Sequence, residues 1–143
     1  MAEDRTRAEL YASFANRAML YHHIHEAAKA RLGAEAAAEM LKSAIYARGL
    51  EVGRRFAKHG PADMQGIHDA FLAFLPDGGR MFQPEVKRSD AGGVDIKFHA
   101  CPLKQAWQEA GLTGEQVATL CHIAGRVDDG TFAAAGFAFH ADT

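Results

Sequence analysis

Cys101 has the chemistry and the placement that point most directly to a function. It precedes Pro102, where a segment of alternating polarity gives way to a helical one. Proline suits the first position of a helix because it lacks an N–H and has a fixed φ, so Cys101 is predicted at or beside an N-cap. The helix dipole and the free N–H groups there favour a thiolate, the nucleophilic and metal-binding form. The alternative is a small apolar residue packed under Trp107.

Cys121 and Asp128 form a second candidate pair, seven residues apart on one predicted helix. Seven residues are nearly two turns, so both side chains are predicted on one face. Ala124 and Gly125 lie between them and would leave room for a small molecule. Asp128 is then placed to orient a substrate or to move a proton near a sulfur. The alternative is a buried cysteine and an aspartate that caps a helix or forms a salt bridge.

Histidines supply two further candidate sites. His99 lies two residues before Cys101, and positions i and i+2 share a strand face, so His99 is predicted within reach of that thiol as a base. His22, His25 and Glu26 are spaced i, i+3 and i+4, which permits a metal site. A solvated helix face explains the same spacing, because the set lacks the specificity of a full HExxH motif.

The elements that must position these residues are mostly helical. Gly49 and Gly53 are spaced i, i+4 inside the second predicted helix, which indicates a close backbone approach to a neighbour, or else a helix end near Gly49. Periodicity and turn signals predict helices over 3–32, 34–59, 62–75 and 103–110, a helix from a capping box at Thr113 to about Asp128, a kink at Asp129-Gly130, and a last helical segment over 131–135.

Two short segments, 80–87 and 93–100, are predicted to pair as a β-hairpin, and residues 136–140 as a closing strand. The sequence therefore predicts an α+β fold in a single domain, 1–143. A long antiparallel helical hairpin and a third helix fill a helical half of about 3–75. A small antiparallel sheet with helices packed on it fills the other half, about 80–140.

Composition excludes several classes of function. The net charge is −2 and the pI about 6.4, so no basic field exists to hold a nucleic acid. No apolar run approaches the roughly 20 residues that span a bilayer. Residues 1–7 lack the features of a signal peptide, so a cytoplasmic protein without a disulfide is predicted. No GxGxxG, P-loop, GxSxG or CxxC motif occurs, and no cofactor is predicted, although a thiophilic metal would suit the cysteines.

The stretch from Cys101-Pro102-Leu103 through Trp107, with Gly111-Leu112, Cys121, Asp128 and Gly136-Phe137, resembles the L-2-amino-thiazoline-4-carboxylic acid (ATC) hydrolase family. The resemblance spans about 5–138 and identifies the chain as a short member. It implies hydrolytic opening of a thiazoline ring that carries a carboxylate, giving an N- or S-carbamoyl cysteine. By resemblance, Cys101 and Cys121 match the family's recurrent cysteines and Asp128 its acidic position.

Three hypotheses follow for function. The first is a hydrolase or lyase acting on a C–N or C–S bond, with Cys101 as nucleophile and His99 or Asp128 as proton carrier. Trp107 would then contact the substrate, and Arg126 or Lys104 would hold its carboxylate. The second is a thiol-metal enzyme whose two cysteines and aspartate resemble, in chemistry only, the organomercurial lyases. The third is a non-catalytic ligand-binding domain that forms a homo-oligomer through its N-terminal helices.

Overall fold

The computed structural model describes residues 1–142, most of which lie in helices. None of the helices in this range combines the length and the apolar character needed to cross a membrane. The α-helices are α1 (Ala2–Leu32), α2 (Ala34–Gly53), α3 (Met64–Phe74), α4 (Pro102–Glu109), α5 (Gly114–Ala124) and α6 (Arg126–Ala135). Two 3-10 helices span Arg54–His59 and Pro76–Gly79, and two strands, β1 (Pro84–Asp90) and β2 (Gly93–Phe98), complete the chain. The predicted α+β fold is confirmed.

The predicted N-terminal helical hairpin is present, and a single residue joins its two helices. Gly33 has a φ of 85°, a left-handed conformation that glycine adopts at little cost, and its N–H bonds to the carbonyl of Lys29 at 3.0 Å. Buried residues of α1, α2 and α5 then form one core cluster between the helices: Ala28, Ala37, Leu41, Ile45 and Ile123.

The backbones of helices α2 and α6 approach each other closely. A Cβ at Gly49 would collide with the carbonyl oxygen of Val127 and lie 3.0 Å from the Cα of Gly130. A Cβ at Gly130 would in turn collide with the carbonyl oxygen of Tyr46. Gly53 meets α6 in the same way, at the carbonyl of Thr131. The predicted close approach is therefore confirmed, and α2 runs on through Gly49 to Gly53, after which the predicted helix tightens into a 3-10 turn.

The predicted β-hairpin is confirmed, with a shift of its first strand. The strands pair antiparallel from Pro84 opposite Phe98 to Asp90 opposite Gly93, with an irregularity between Val86 and Arg88. Residues 80–83 form a turn and not the start of the strand. Gln83 has a positive φ of 49°, which does not fit a strand, and Met81 in this turn is buried. The hairpin packs on α3 and on the cluster of Phe56, Ile67, Phe71, Leu75 and Ala135.

Helices α4 and α5 form the third core cluster against α1, around Trp107. The cluster comprises Ala18, Leu103, Ala106, Trp107, Val117 and Leu120. The capping box that starts α5 is confirmed. The Gln116 N–H donates to the Thr113 hydroxyl at 3.1 Å, and the Thr113 N–H donates to the Gln116 side chain at 2.8 Å.

Three predictions for the C-terminal part are wrong. The helix from Thr113 ends at Ala124, and Gly125 separates it from α6. No kink occurs at Asp129-Gly130. Both residues lie inside α6, where Gly130 packs against the backbone of α2. Residues 136–140 form no strand. Gly136 has a left-handed φ of 89° that ends α6, and the ring of Phe139 stacks on that of Phe132 with centroids 4.7 Å apart.

Candidate functional site

Cys101 occupies the N-cap of α4, as the sequence predicts. Its backbone is extended, with φ −145° and ψ 120°, and Pro102 is the first helical residue. The side chain is half-buried, with its thiol free, and it packs against the core cluster that contains Leu103 and Trp107. Negative charge is stabilised at this end of a helix, so the position suits an anionic sulfur that remains reachable from solvent.

Cys121 lies on α5 and packs against the same core cluster as Cys101. Burial raises the pKa of the Cys121 thiol, the charge of Cys101 raises it further, and the positive charge of Lys104 acts in the opposite direction. Cys101 and Cys121 pack against one core cluster where α4 meets α5, and Lys104 lies three residues after Cys101 on α4. We call Cys101, Cys121 and Lys104 the thiol cluster.

Asp128 is the carboxyl group whose environment is most unusual. Burial raises its pKa to about 6, and the neighbouring carboxylate of Asp129 adds to the effect. Within residues 1–142 its side chain makes no hydrogen bond or ion pair, whereas Asp63, Asp69 and Asp77 all have partners that lower their pKa. A carboxyl group that titrates near neutral pH suits proton transfer.

Asp128 and Cys121 lie on two different helices, contrary to the prediction. Gly125 divides the predicted helix, so Cys121 belongs to α5 and Asp128 to α6. The Asp128 N–H bonds to the carbonyl of Gly125 at 3.1 Å, a tight i to i−3 turn that starts α6. The spacing of seven residues therefore does not place the two side chains on one helix face.

His99 lies beyond the end of β2 and is paired elsewhere. Its Nε2 is 2.7 Å from a carboxylate oxygen of Glu85 on β1, and this contact is the largest cause of the lowered pKa of Glu85. No hydrogen bond joins His99 to a thiol within the described residues. The expectation that it serves Cys101 is not met, because a cross-strand carboxylate offers the imidazole a stronger partner.

Trp107 is a core residue and not part of a substrate-binding surface. It has no solvent-accessible surface, and its indole N–H donates to the carbonyl of Ala18 on α1 at 2.7 Å. Both its ring and its only donor are therefore committed to holding α4 against α1. The prediction that Trp107 contacts a substrate is wrong for this conformation.

The histidines of α1 do not assemble a metal site. His25 is buried, and burial followed by the charge of Lys29 lowers its pKa. Glu26 pairs with Lys29 at 3.4 Å, while the ring of His22 lies 5.0 Å from that of His23. No group of three or more metal-ligating side chains occurs anywhere in residues 1–142.

Arg126 lines a cavity on another side of α5. We call this cavity of about 550 Å³ the α2–α5 groove, and its walls come from α2, the α5–α6 junction and the C-terminal segment. The Arg126 guanidinium donates to Asp129 at 2.6 Å and lies 5.0 Å from the centre of the Tyr46 ring. The lining residues are Glu39, Lys42, Ser43, Tyr46, His122, Gly125, Arg126, Asp129 and Ala141.

The groove contains residues that the sequence reasoning missed. Lys42 and Tyr46 are spaced i, i+4 on α2, and His122 and Arg126 have the same spacing across the α5–α6 junction. Each pair shares a face in the sequence, but nothing there indicates that the two faces meet. None of Cys101, Cys121 and Asp128 lines the groove, so the structure separates Arg126 from the thiol cluster.

Comparison with known proteins identifies the family of the chain. Neither proteins of curated function nor solved structures show significant similarity to it. The profile of a family described as L-2-amino-thiazoline-4-carboxylic acid hydrolase matches residues 13–143. The match runs through the helical hairpin, the β-hairpin and both cysteines. Because it covers nearly the whole sequence, the chain belongs to the L-2-amino-thiazoline-4-carboxylic acid hydrolase family.

Proposed function

We propose that the protein is a small-molecule hydrolase that opens a C–N or C–S bond in a heterocyclic or amide-like substrate. The family name gives the substrate type, L-2-amino-thiazoline-4-carboxylate. One observation carries the assignment to particular residues. Cys101 at a helix N-cap and Cys121 on the next helix pack against the same core cluster, and the charges of Cys101 and Lys104 shift the pKa of Cys121.

The proposed reaction begins when the Cys101 thiolate adds to the ring carbon between nitrogen and sulfur. The π electrons of the C=N bond move to the nitrogen, which takes a proton. A ring bond at that carbon then breaks, and the carbon stays bound to the enzyme sulfur. Water adds to the carbon and expels Cys101 as a thiolate. The water oxygen stays on the carbon as a carbonyl oxygen. If the C–S bond breaks, one proton ends on the ring nitrogen and one on the freed sulfur; if the C–N bond breaks, both end on the freed nitrogen. The net reaction consumes one water.

Asp128 and Lys104 have separate roles in this proposal. With a pKa of about 6, Asp128 exists in both protonation states near neutral pH, and we propose it as the proton carrier for a substrate that extends from the thiol cluster to the start of α6. Lys104 is exposed beside the thiols and supplies the positive charge that holds the substrate carboxylate. We therefore assign this anchoring role to Lys104 and not to Arg126, which lines the α2–α5 groove.

The electrostatics at Cys121 favour hydrolysis over thiol-metal chemistry. A soft metal is bound by thiolates, and a pair of them would require both sulfurs to be deprotonated. Burial and the neighbouring Cys101 instead raise the pKa of Cys121, so that deprotonating both sulfurs costs more free energy than deprotonating one. A protonated Cys121 beside a reactive Cys101 suits one nucleophile and one weak hydrogen-bond donor.

Turnover of L-2-amino-thiazoline-4-carboxylate by matched variants tests the proposal. We expect Cys101→Ser to lower kcat/KM by at least about 10³-fold, since the hydroxyl is a far weaker nucleophile. Cys121→Ser should cost about tenfold, and Lys104→Gln should raise KM with little change in kcat. Lys87→Gln on β1, another exposed lysine, is the control and should behave as wild type. Wild-type turnover by Cys101→Ser would overturn the assignment.

A further inference from the structure

We propose that the α2–α5 groove is a second binding site, separate from the thiol cluster, for a small molecule with a carboxylate or phosphate head and a small apolar body. The proposal rests on the hydrogen-bonding groups that line the groove, on its shape, and on its position relative to the cysteines. It does not depend on the reaction proposed above.

The cationic side chains of the groove have unused donors. Arg126 gives one terminal nitrogen to Asp129 at 2.6 Å, and within residues 1–142 its other guanidinium nitrogens have no hydrogen-bond partner. The Lys42 ammonium is 3.6 Å from Glu39, too far for a hydrogen bond, although its side chain is only 23% exposed. Both cations are therefore held at the groove with donors free for an anion.

Neutral side chains of the groove also have unused hydrogen-bond donors. Ser43, Tyr46 and His122 line the groove, and none makes a hydrogen bond to another side chain or to the backbone in the described part of the chain. The two carboxylates, Glu39 and Asp129, each already face a cation. The two cations and the two carboxylates of the groove balance in charge, but five donor-bearing side chains face only two carboxylates, and this surplus of donors matches the head group of a carboxylate or a phosphate.

An apolar extension of the groove indicates that the ligand has a body as well as a head. A neighbouring cavity of about 370 Å³ shares Lys42 and His122 with the groove. Its other walls are mostly apolar and small: Ala38, Ala118, Thr119 and Ile123. Together the two cavities have the size and the mixed lining of a small-molecule site, with polar groups at one end and apolar walls at the other.

The groove and the thiol cluster lie on different faces of α5. His122 lines the groove, whereas Cys121 packs on the core cluster around Trp107. Consecutive helix residues point about 100° apart, which explains how neighbours in sequence serve separate regions. A ligand in the groove therefore does not need to touch either sulfur.

Binding of model ligands to the full chain tests the proposal, followed by backbone amide NMR. Benzoate and phenyl phosphate carry the two head groups on one apolar body, and benzamide is the neutral control. We expect one or both anions to bind at least tenfold tighter than benzamide and to shift the amide signals of Ser43, His122 and Arg126. The head group that binds tighter distinguishes a carboxylate from a phosphate ligand.

Variants complete the test and separate it from the hydrolase proposal. Lys42→Gln and Arg126→Gln should each weaken anion binding about tenfold, and Lys42→Gln leaves the Arg126–Asp129 pair intact. Arg48→Gln is the matched control on α2, because Arg48 also forms an i,i+3 ion pair, with Glu51 at 3.2 Å, away from the groove. Cys101→Ser should bind like wild type. Equal affinity for benzamide, unchanged binding by Lys42→Gln, or shifts confined to the thiol cluster would overturn the proposal.

Discussion

Asp128 combines partial burial with the lack of a hydrogen-bond or ion-pair partner in the described chain. Burying a carboxyl group without a hydrogen bond costs free energy, and here the cost appears as a pKa raised to about 6. A group of this kind destabilises the fold in its charged form, so its presence is typical of residues kept for chemistry. The other carboxyl groups with displaced pKa values, such as Asp77 beside Arg7, are displaced downward by partners that stabilise the charged form.

The first prediction concerns the stability of Asp128→Asn. Because folding raises the pKa of Asp128 above its ordinary 3.8, the folded state binds the proton more tightly. The wild type should therefore lose stability, relative to the variant, as pH rises from about 4 through about 6. The displacement of the Asp128 pKa corresponds to a free energy of about 3 kcal/mol. Because solvent screens part of this effect, we expect Asp128→Asn to be more stable than wild type by about 2 kcal/mol at pH 7.5.

Denaturant unfolding between pH 4 and pH 8 measures this difference. Asp69→Asn is the control, because the histidine contact that lowers the pKa of Asp69 predicts a small effect of the opposite sign. The account of Asp128 fails if Asp128→Asn and wild type keep a constant difference in unfolding free energy across this range. The same variant should also lose activity, since Asn does not carry the proton.

The sequence predicts some residues of the site well because their signals are local. Cys101 is placed at an N-cap by its neighbour Pro102, and the structure has it there. His99 and Trp107 differ, because their environments depend on distant partners. His99 meets Glu85 across the hairpin, and Trp107 reaches the carbonyl of Ala18, which is 89 positions away in sequence. No spacing in the chain contains that information.

At the scale of elements, the contact between α2 and α6 positions much of the candidate chemistry. Gly49 and Gly130 allow the two backbones to touch, and this contact fixes the start of α6 beside α2. Asp128 and Arg126 both lie in the first turn of α6. The thiol cluster depends on a different contact, that of α4 with α5.

The second prediction compares two glycine-to-alanine changes in helices. Gly49→Ala places a methyl group against the carbonyl of Val127 and the Cα of Gly130, neither of which is able to move aside cheaply. We expect a loss of about 2 kcal/mol in unfolding free energy after the gain in helix propensity. Gly114→Ala in α5 meets nothing within 4 Å and should be neutral or stabilising by up to about 1 kcal/mol.

Thermal and denaturant unfolding of both variants provides the measurement. Similar stability of Gly49→Ala and wild type would contradict the close contact between α2 and α6. Since α6 carries Asp128, a destabilised Gly49→Ala should also show weaker turnover at temperatures where it remains folded.

Prediction of the elements from sequence succeeds where starts and stops have their own chemistry. Gly33 ends α1, and the capping box at Thr113 starts α5, and both signals act within four residues. The break at Gly125 has no local signal in the sequence. Gly125 itself has ordinary helical angles, φ −61° and ψ −18°. What redirects the chain there is the packing of α6 on α2, a tertiary effect.

At the scale of the whole molecule, three core clusters hold the described residues together. The cluster around Trp107 supports both cysteines, and another cluster lies between α1, α2 and α5. Tyr21 packs against both, so α1 joins them. The cluster that contains Phe56 and Phe71 supports the β-hairpin. This division explains how the thiol cluster and the α2–α5 groove form on different faces of one helix, α5.

The third prediction concerns assembly. The homo-oligomer expected through the N-terminal helices stays a prediction, and α1 carries exposed apolar side chains at Leu20 and Ile24, which are 52% and 49% exposed. If a second copy covers this face, light scattering on a size-exclusion column should give a dimer for wild type and a monomer for Ile24→Glu.

The control for assembly is Ala8→Glu. Ala8 is also exposed on α1, but at about 100° of rotation per residue it points about 120° away from Leu20 and about 160° away from Ile24. This variant should therefore assemble like wild type. A monomeric wild type at about millimolar concentration would contradict the expectation.

The covalent step at Cys101 is the central claim, and trapping it is the most direct test. Protein mixed with L-2-amino-thiazoline-4-carboxylate is quenched in acid during turnover, digested, and analysed by mass spectrometry. The account predicts that the peptide containing Cys101 gains the mass of the substrate, that the peptide containing Cys121 does not, and that Cys101→Ser shows no adduct. An adduct on Cys121 alone, or full turnover with no adduct on Cys101 at any time point, would contradict it.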